Sequence, residues 1–255
     1  MMMEMWYPIY LLVVIILFFN ACGKNLEDPD PPARPEWMPK SLPYDTTETG
    51  IDAIPESDYI VLEWYTGNED DLNTYRIYRT SRKIENKYDL LEEVPSDLMA
   101  GSINTYLDES VSIGTSYFYF LRAVDQAGNL SPRSDTIEYK LVTKVNLREP
   151  VNVTITDVKP TFKWSDVGTA ASEYVIRVEQ LNPIQVIWLS ALSRRGYTDE
   201  IQSIKYGTEN TFYLTQEELS RGVNYRWRID AVATFNREGD EVAGSESNWG
   251  YFRIQ

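Results

Sequence analysis

Acid–base, nucleophilic or metal chemistry in this 255-residue chain would have to come from carboxylates and one thiol, because the sequence contains no histidine. The commonest general base and the commonest metal ligand are therefore both missing. Acidic residues cluster at Glu69-Asp70-Asp71, Asp108-Glu109, Asp199-Glu200 and Glu217-Glu218. None of these clusters has the pattern of a calcium loop, and nothing in the sequence holds two carboxylates across a cleft for glycoside hydrolysis. We expect solvated loops, with no catalytic residue, no metal and no cofactor; a hydrolase is the least favoured alternative.

The single thiol belongs to Cys22, which follows an uninterrupted apolar run over residues 9–19. As a helix this run would span about 16 Å, roughly half of a bilayer core, and such a length is typical of a signal peptide. The sequence Phe19-Asn20-Ala21-Cys22-Gly23 resembles a bacterial lipobox. We therefore expect residues 1–21 to be a lipoprotein signal peptide. The alternative is an uncleaved signal anchor over residues 5–21.

The lipobox resemblance implies that lipid is attached to the Cys22 thiol and that the chain is cut just before it. Each acyl CH₂ buried in a membrane contributes about 0.8 kcal/mol, so several chains give a stable anchor. Gly23 resembles the residue found in lipoproteins that are forwarded to the outer membrane. The resemblance thus implies a bacterial cell-envelope protein, bound to a membrane through lipid on Cys22 and placed at the outer membrane.

Residues 22–40 are expected to form a tether, because prolines and acidic residues alternate in this stretch. Six of the 13 prolines fall within residues 29–43. Such a composition favours a semi-rigid polyproline-like spacer. The formal net charge of the whole chain is −15, which opposes contact with the phosphates of nucleic acids or with anionic lipids. We therefore exclude nucleic acid as a partner.

The rest of the sequence contains one pattern twice. Trp64 and Trp164 end similar apolar runs 100 residues apart, and the Gly-x-x-Tyr blocks that end at Tyr117 and Tyr225 lie 108 residues apart. Apolar residues alternate with a period of two around all four positions, which predicts β-strands separated by turns.

At these residues the sequence resembles the fibronectin type III family, which has a Trp on its second strand and a Gly-x-x-Tyr block on its sixth. The resemblance implies an all-β fold of two tandem immunoglobulin-like β-sandwiches, residues 41–145 and 146–255. It also implies that Trp64 and Trp164 lie in the cores, and that Tyr117 and Tyr225 are tyrosine corners bonded to upstream backbone. Another immunoglobulin-like subtype is the alternative for the second module. The fold by itself implies no activity.

The second module departs from this pattern in an apolar segment at residues 184–197 and a long connection at residues 234–248. Long loops at the ends of a sandwich frequently bind ligands. The hypothesis is a ligand platform for a sugar ring or a protein, formed by four aromatic residues: Trp188, Tyr197, Tyr206 and Trp249. In the alternative, Trp188 packs in an edge strand and Trp249 belongs to the core of the last strand.

These observations predict a non-enzymatic, lipid-anchored envelope protein. Its two modules would bind an unknown protein or polysaccharide, or would act as a spacer in an envelope assembly. The alternative function is that of a carbohydrate-binding accessory lipoprotein in a glycan-uptake system.

Overall fold

The computed structural model describes residues 29–82, 87–96, 101–194, 201–208 and 210–255, so Cys22 and the predicted signal peptide lie outside the described residues. The described residues form 17 strands and one short 3₁₀ turn, Gly168–Ala170, without any α-helix. The all-β prediction is therefore confirmed. Within this part of the chain, no helix is long and apolar enough to cross a membrane.

The first module contains two antiparallel sheets. Its strands are β1 (Asp52–Ile54), β2 (Ser57–Tyr65), β3 (Leu72–Thr80), β4 (Asp89–Pro95), β5 (Ile103–Asp108), β6 (Ser116–Asp125) and β7 (Ile137–Leu141). One sheet has the order β1-β2-β5, and the other has the order β4-β3-β6-β7. Alternate residues of β2 and β6 point inward, and their side chains form a common buried core that includes Leu62, Trp64, Tyr119 and Leu121. This arrangement is a β-sandwich.

The second module repeats the plan. Its strands are β8 (Leu147–Glu149), β9 (Val153–Ile155), β10 (Thr161–Ser165), β11 (Glu173–Gln180), β12 (Gln185–Ser193), β13 (Ile201–Lys205), β14 (Thr211–Leu214), β15 (Asn224–Phe235), β16 (Glu241–Glu246) and β17 (Gly250–Ile254). One sheet has the order β13-β10-β8, and the other has the order β14-β12-β11-β15, with β16 and β17 both paired to β15. The prediction of two tandem sandwiches is confirmed.

The repeated Trp and Tyr residues occupy matching places in the two modules. Trp64 and Trp164 are fully buried. The Tyr117 hydroxyl accepts a hydrogen bond from the backbone N–H of Ser112 at 3.1 Å. The Tyr225 hydroxyl accepts one from the N–H of Ser220 at 2.8 Å. Both partners lie five residues upstream, which is the contact that a tyrosine corner makes.

The two modules share one continuous sheet, because β16 of the second module pairs in parallel with β7 of the first. In this pairing Ala243, which belongs to the second core, lies beside Lys140. Gly244 lies beside Leu141, which belongs to the first core. Since successive side chains of a strand point to opposite faces, the two cores lie on opposite faces of the shared sheet.

The predicted long connection at residues 234–248 is mostly paired strand and not an end-loop. β15 continues to Phe235, a tight turn follows, and β16 returns beside it and against β7. Gly244 leaves room for buried side chains at this seam, because a Cβ there would displace the Glu241 carboxylate and lie 3.0 Å from the Tyr139 hydroxyl. The extra length therefore joins the modules and does not form a free binding loop.

The predicted tether packs on the first module over its second half. Pro32 and Pro35 are buried, and Trp37 pairs with Trp64 in an isolated antiparallel bridge. The backbone N–H of Met38 also donates to a β2 carbonyl at 2.9 Å. The first module therefore begins before residue 41, and only the residues ahead of Pro32 are left to act as a spacer.

Candidate functional site: the junction of the two modules

The aromatic platform predicted in the second module does not form on the surface. Trp188 and Tyr206 are 0% and 1% exposed, and their rings lie 5.0 Å apart inside the core. The physical reason is that β12 is a fully paired strand between β11 and β14, so Trp188 points inward. Tyr197 lies outside the described residues. Of the four predicted residues, Trp249 is described as half-buried at the surface.

A segment of the first module, residues 39–50, crosses onto the second; we refer to it as the strap. It interrupts the first strand of the first module, which pairs with β2 at Trp37 before the strap and through β1 after it. The strap closes on itself, since the N–H of Ser41 donates to the carbonyl of Thr49 at 3.1 Å. Gly50 ends it with a φ of +85°, where a Cβ would lie 2.8 Å from the backbone of Lys40.

The tip of the strap covers the outer face of the second module's large sheet. The Tyr44 hydroxyl donates to the Glu173 carboxylate at 2.6 Å, and its ring stacks on Phe212 at 4.1 Å. The Arg177 guanidinium donates to the backbone carbonyl of Asp45 at 2.7 Å. These contacts bury apolar side chains that would otherwise face water on that sheet: Val175, Ala191 and Val232.

Beneath the strap, Arg228 lies at the centre of a buried cluster of carboxylates. Its guanidinium donates to Asp230 at 2.8 Å and to Glu246 at 2.6 Å, and it contacts Glu48 of the strap. Glu48 also pairs with Arg177 at 2.9 Å. The two arginine side chains are only 2–3% exposed. Burial raises the pKa of Asp230 and of Glu246, and Arg228 opposes that rise by favouring the ionised carboxylates.

A second buried group surrounds Lys40 at the root of the strap. Its ammonium contacts Asp52 and lies 3.4 Å from Glu241 of β16. The Tyr139 hydroxyl of β7 donates to Asp52 at 3.0 Å. Burial alone would lower the pKa of Lys40, but the attraction of Asp52 and Glu241 outweighs it and raises that pKa above its usual value. Burial raises the pKa of Glu241 to about 8, against the opposing attraction of Lys40.

Three carboxylates of the cluster could be taken for a cation site. One oxygen each of Glu48, Asp230 and Glu246 lies within 4.8 Å of the others. The Arg228 guanidinium already contacts all three residues, so their negative charge has a partner from the chain itself. We therefore assign no metal to this cluster. The chemistry that these groups perform is mutual charge neutralisation in a buried place.

The junction was not predicted from the sequence, although β15 carries a signal for it. Three successive outward positions of β15 are charged: Arg226, Arg228 and Asp230. A run of charges on the outer face of a central strand whose inward residues are apolar is typical of a sheet face covered by polar partners.

Comparisons with known proteins add little to this description. No protein-family model matches the chain, and no curated protein matches it significantly. Among solved structures, the chain is similar to the FN1–FN3 domains of chicken CNTN1, with 14% sequence identity and a TM-score of 0.34. That similarity covers 88% of this chain and 68% of the other. The strand order and the repeated Trp and Tyr contacts described above identify the two modules as fibronectin type III-like β-sandwiches.

Proposed function

We propose that this chain is a non-enzymatic, lipid-anchored protein of the bacterial cell envelope that holds a stiff two-module arm away from the membrane. In this role it presents the arm to a protein or polysaccharide partner, or serves as a spacer in an envelope assembly. The observation that carries the proposal is the junction, where a shared sheet and the ion pairs of Glu48 in the strap with Arg177 and Arg228 tie the modules together.

Stiffness follows from the way in which the junction is built. Neighbouring domains of one chain usually meet through modest polar interfaces and move relative to each other. Here the relative motion would break the β7–β16 pairing and would separate buried charges from their partners. Leaving such charges unpaired costs several kcal/mol. The two modules therefore behave as one body.

The anchor part of the proposal rests on the sequence. Cys22 follows the apolar run at residues 9–19 in a context that resembles a lipobox, and it is the only cysteine. Residues 23–31 lie between this cysteine and the first buried proline. An extended polyproline-like spacer of that length reaches about 28 Å. That distance is sufficient to lift the folded part clear of lipid head groups.

The non-enzymatic part of the proposal is supported by the state of the buried groups. Arg228 and Lys40 are each engaged by carboxylates, and the cluster is closed from solvent by the strap. A general acid or base must reach a substrate proton within hydrogen-bonding distance. Groups that are enclosed and paired in this way do not meet that condition.

The anchor is tested by Cys22→Ser in the full-length chain. We expect loss of labelling by a radiolabelled or clickable fatty acid and release of the protein from the membrane fraction. The wild-type chain is the control in the same cells. If the Cys22→Ser protein stays in the membrane fraction, the uncleaved signal anchor is the correct interpretation of residues 5–21.

Stiffness is tested by a spin-label distance between the modules. In the Cys22→Ser background, Thr105→Cys and Lys205→Cys place labels at exposed positions of β5 and β13. We expect a single narrow distance distribution by pulsed electron resonance. The matched variant Gly244→Val should broaden it, because a side chain there collides with the Glu241 carboxylate at the seam. A broad distribution without that substitution would contradict the proposal.

A further inference from the structure

We infer that a cleft at the module junction is a binding site for a neutral saccharide. The cleft has a volume of about 970 Å³ and lies between the β1–β2 turn of the first module and the start of β17 in the second. Its walls include Glu56, Asp58, Tyr59, Asn146, Asn248 and Trp249. None of these six residues belongs to the buried ion cluster, which the cleft touches through the contact of Trp249 with Arg228. Binding sites for small ligands frequently lie at domain interfaces and have volumes of this order.

The walls of the cleft are held by specific contacts. Lys144, in the linker between the modules, donates from its ammonium group to the carbonyls of Ile54 and Ser57 at 2.8 and 2.5 Å. On the opposite wall, the Ser247 hydroxyl accepts from the N–H of Ile229 at 3.0 Å and donates to the carbonyl of Asn248 at 2.9 Å. Both walls are therefore positioned before any ligand arrives, which lowers the entropic cost of binding.

The indole of Trp249 is also held in a defined orientation. The guanidinium of Arg226 lies 4.0 Å from its ring centroid, and that of Arg228 lies 5.0 Å away. Cation–π contacts at these distances stabilise a ring. Arg226 in turn donates to Glu179 at 2.7 Å. The half-buried Trp249 is thus a surface aromatic residue with a rigid support and not a freely rotating side chain.

The composition of the walls selects the class of ligand. Two carboxylates, Glu56 and Asp58, disfavour phosphate and other anions, and the ammonium of Lys144, which lines the same cleft, is engaged by two backbone carbonyls and lies 3.9 Å from Asp58. Carboxylates and the amides of Asn146 and Asn248 accept and donate hydrogen bonds to hydroxyl groups. Tyr59 and Trp249 add aromatic side chains, which combine an apolar ring with a polar edge, to the lining of the cleft. A ligand that suits these walls has hydroxyl groups around an apolar ring face, as a neutral sugar does.

The saccharide site rests on the proposed function and deepens it by naming the class of partner, and the two can fail separately. If the arm is stiff and anchored but binds no glycan, the proposed function stands and the saccharide site in the cleft is refuted. An arm that binds glycan but bends at the junction would do the reverse, since the spin-label distance and the glycan titration measure different properties.

The test is binding of the full-length chain to a panel of neutral oligosaccharides. The probes are maltohexaose, cellohexaose, mannohexaose, xylohexaose and β-1,3-linked glucohexaose, titrated by calorimetry. We expect binding of at least one probe, weakened at least tenfold by Trp249→Ala and by Tyr59→Ala. The control Tyr251→Ala removes a ring of β17 that is 41% exposed and does not line the cleft, and it should leave the affinity unchanged.

Two outcomes would overturn the inference. One is the absence of binding to every probe by the wild-type chain. The other is binding that neither Trp249→Ala nor Tyr59→Ala weakens, which would place the sugar elsewhere. Trp249→Ala also removes the contacts of that ring with Arg226 and Arg228, and could weaken binding by disturbing the fold. Tyr59→Ala leaves those contacts in place, so weaker binding by this variant cannot be explained in that way. The thermal midpoint of each variant is measured beside the titration.

Discussion

Arg228→Ala is expected to lower the free energy of unfolding by about 3–5 kcal/mol, because it leaves two buried carboxylates, Asp230 and Glu246, without their cation. Asp230 and Glu246 would lose the charge that opposes their burial, and Glu48 of the strap would keep only Arg177 as a partner. The measurement is equilibrium unfolding in urea, followed by tryptophan fluorescence. The loss of stability should appear mainly as a lower urea concentration at the midpoint of unfolding.

The matched control for this prediction is Arg253→Ala. Arg253 is an exposed arginine of the neighbouring strand β17, and its guanidinium lies 3.3 Å from Asn224. Exposed substitutions of this kind usually change stability by less than about 0.5 kcal/mol. Combining Arg228→Met with Asp230→Asn and Glu246→Gln should recover part of the lost stability. The two carboxylate charges that would otherwise lack a cation are then also removed. If Arg228→Ala and Arg253→Ala cost the same, the buried cluster does not hold the junction.

Glu241→Gln is expected to remove a dependence of stability on pH. Burial raises the pKa of Glu241 to about 8 in the folded protein, from an ordinary value near 4.5. Between these two values the folded chain keeps the proton and the unfolded chain releases it. Stability contributed by this group therefore falls as pH rises from about 4.5 to about 8, by at most about 1.4 kcal/mol per unit, and is flat above that window.

The groups that face Glu241 support this sign. Lys40 lies 3.4 Å away and favours ionisation, whereas the charges of Asp52 and Asp230 oppose it. The Tyr139 hydroxyl lies 3.4 Å from the carboxyl. We expect urea unfolding between pH 5 and 8.5 to show a shallower downward trend for Glu241→Gln than for the wild type. The control is Glu238→Gln, an exposed glutamate in the same hairpin. Parallel trends for all three proteins would refute the prediction.

The sequence was sufficient to predict the sandwiches because their signal is local. A period of two in the apolar residues, followed by a Gly-x-x-Tyr block, predicts a strand and its corner within a dozen residues. Tyr117 and Tyr225 therefore lie where the pattern places them, each bonded to backbone five residues upstream. The same periodicity places Trp64 and Trp164 in the cores.

The junction is not encoded in that way. Arg228 meets Glu48 across 180 residues of sequence, and Tyr44 meets Glu173 across 129. No periodicity marks such pairs, because each charge is ordinary in its own segment. The sequence predicts too long a tether for a related reason: a proline-rich composition is equally compatible with a free spacer and with a segment packed beside a strand, and Pro32 and Pro35 are buried in such a segment.

The predicted aromatic platform is wrong because residues close in sequence do not necessarily share a surface. Trp188 lies on a strand that is paired on both sides. Alternate residues of such a strand face the core, and Trp188 is one of them. Trp249 precedes Gly250, a position where a larger residue would clash. A Cβ at Gly250 would lie 2.7 Å from the Trp227 indole nitrogen. The close approach at Gly250 fixes the course of β17 into the core, and it leaves Trp249 at the surface.

The seam between β7 and β16 has a consequence for crowding on a surface. An unpaired edge strand is a template for association with other chains, and two separate sandwiches would present such edges on each large sheet. Pairing β7 with β16 uses up two of them, and the joined sheet then ends at β4, at β14 and at β9, a three-residue strand that pairs with β17. β4 carries Asp89, Glu92 and Glu93, and β14 is only four residues long. Many copies tethered side by side would therefore resist edge-to-edge association into aggregates.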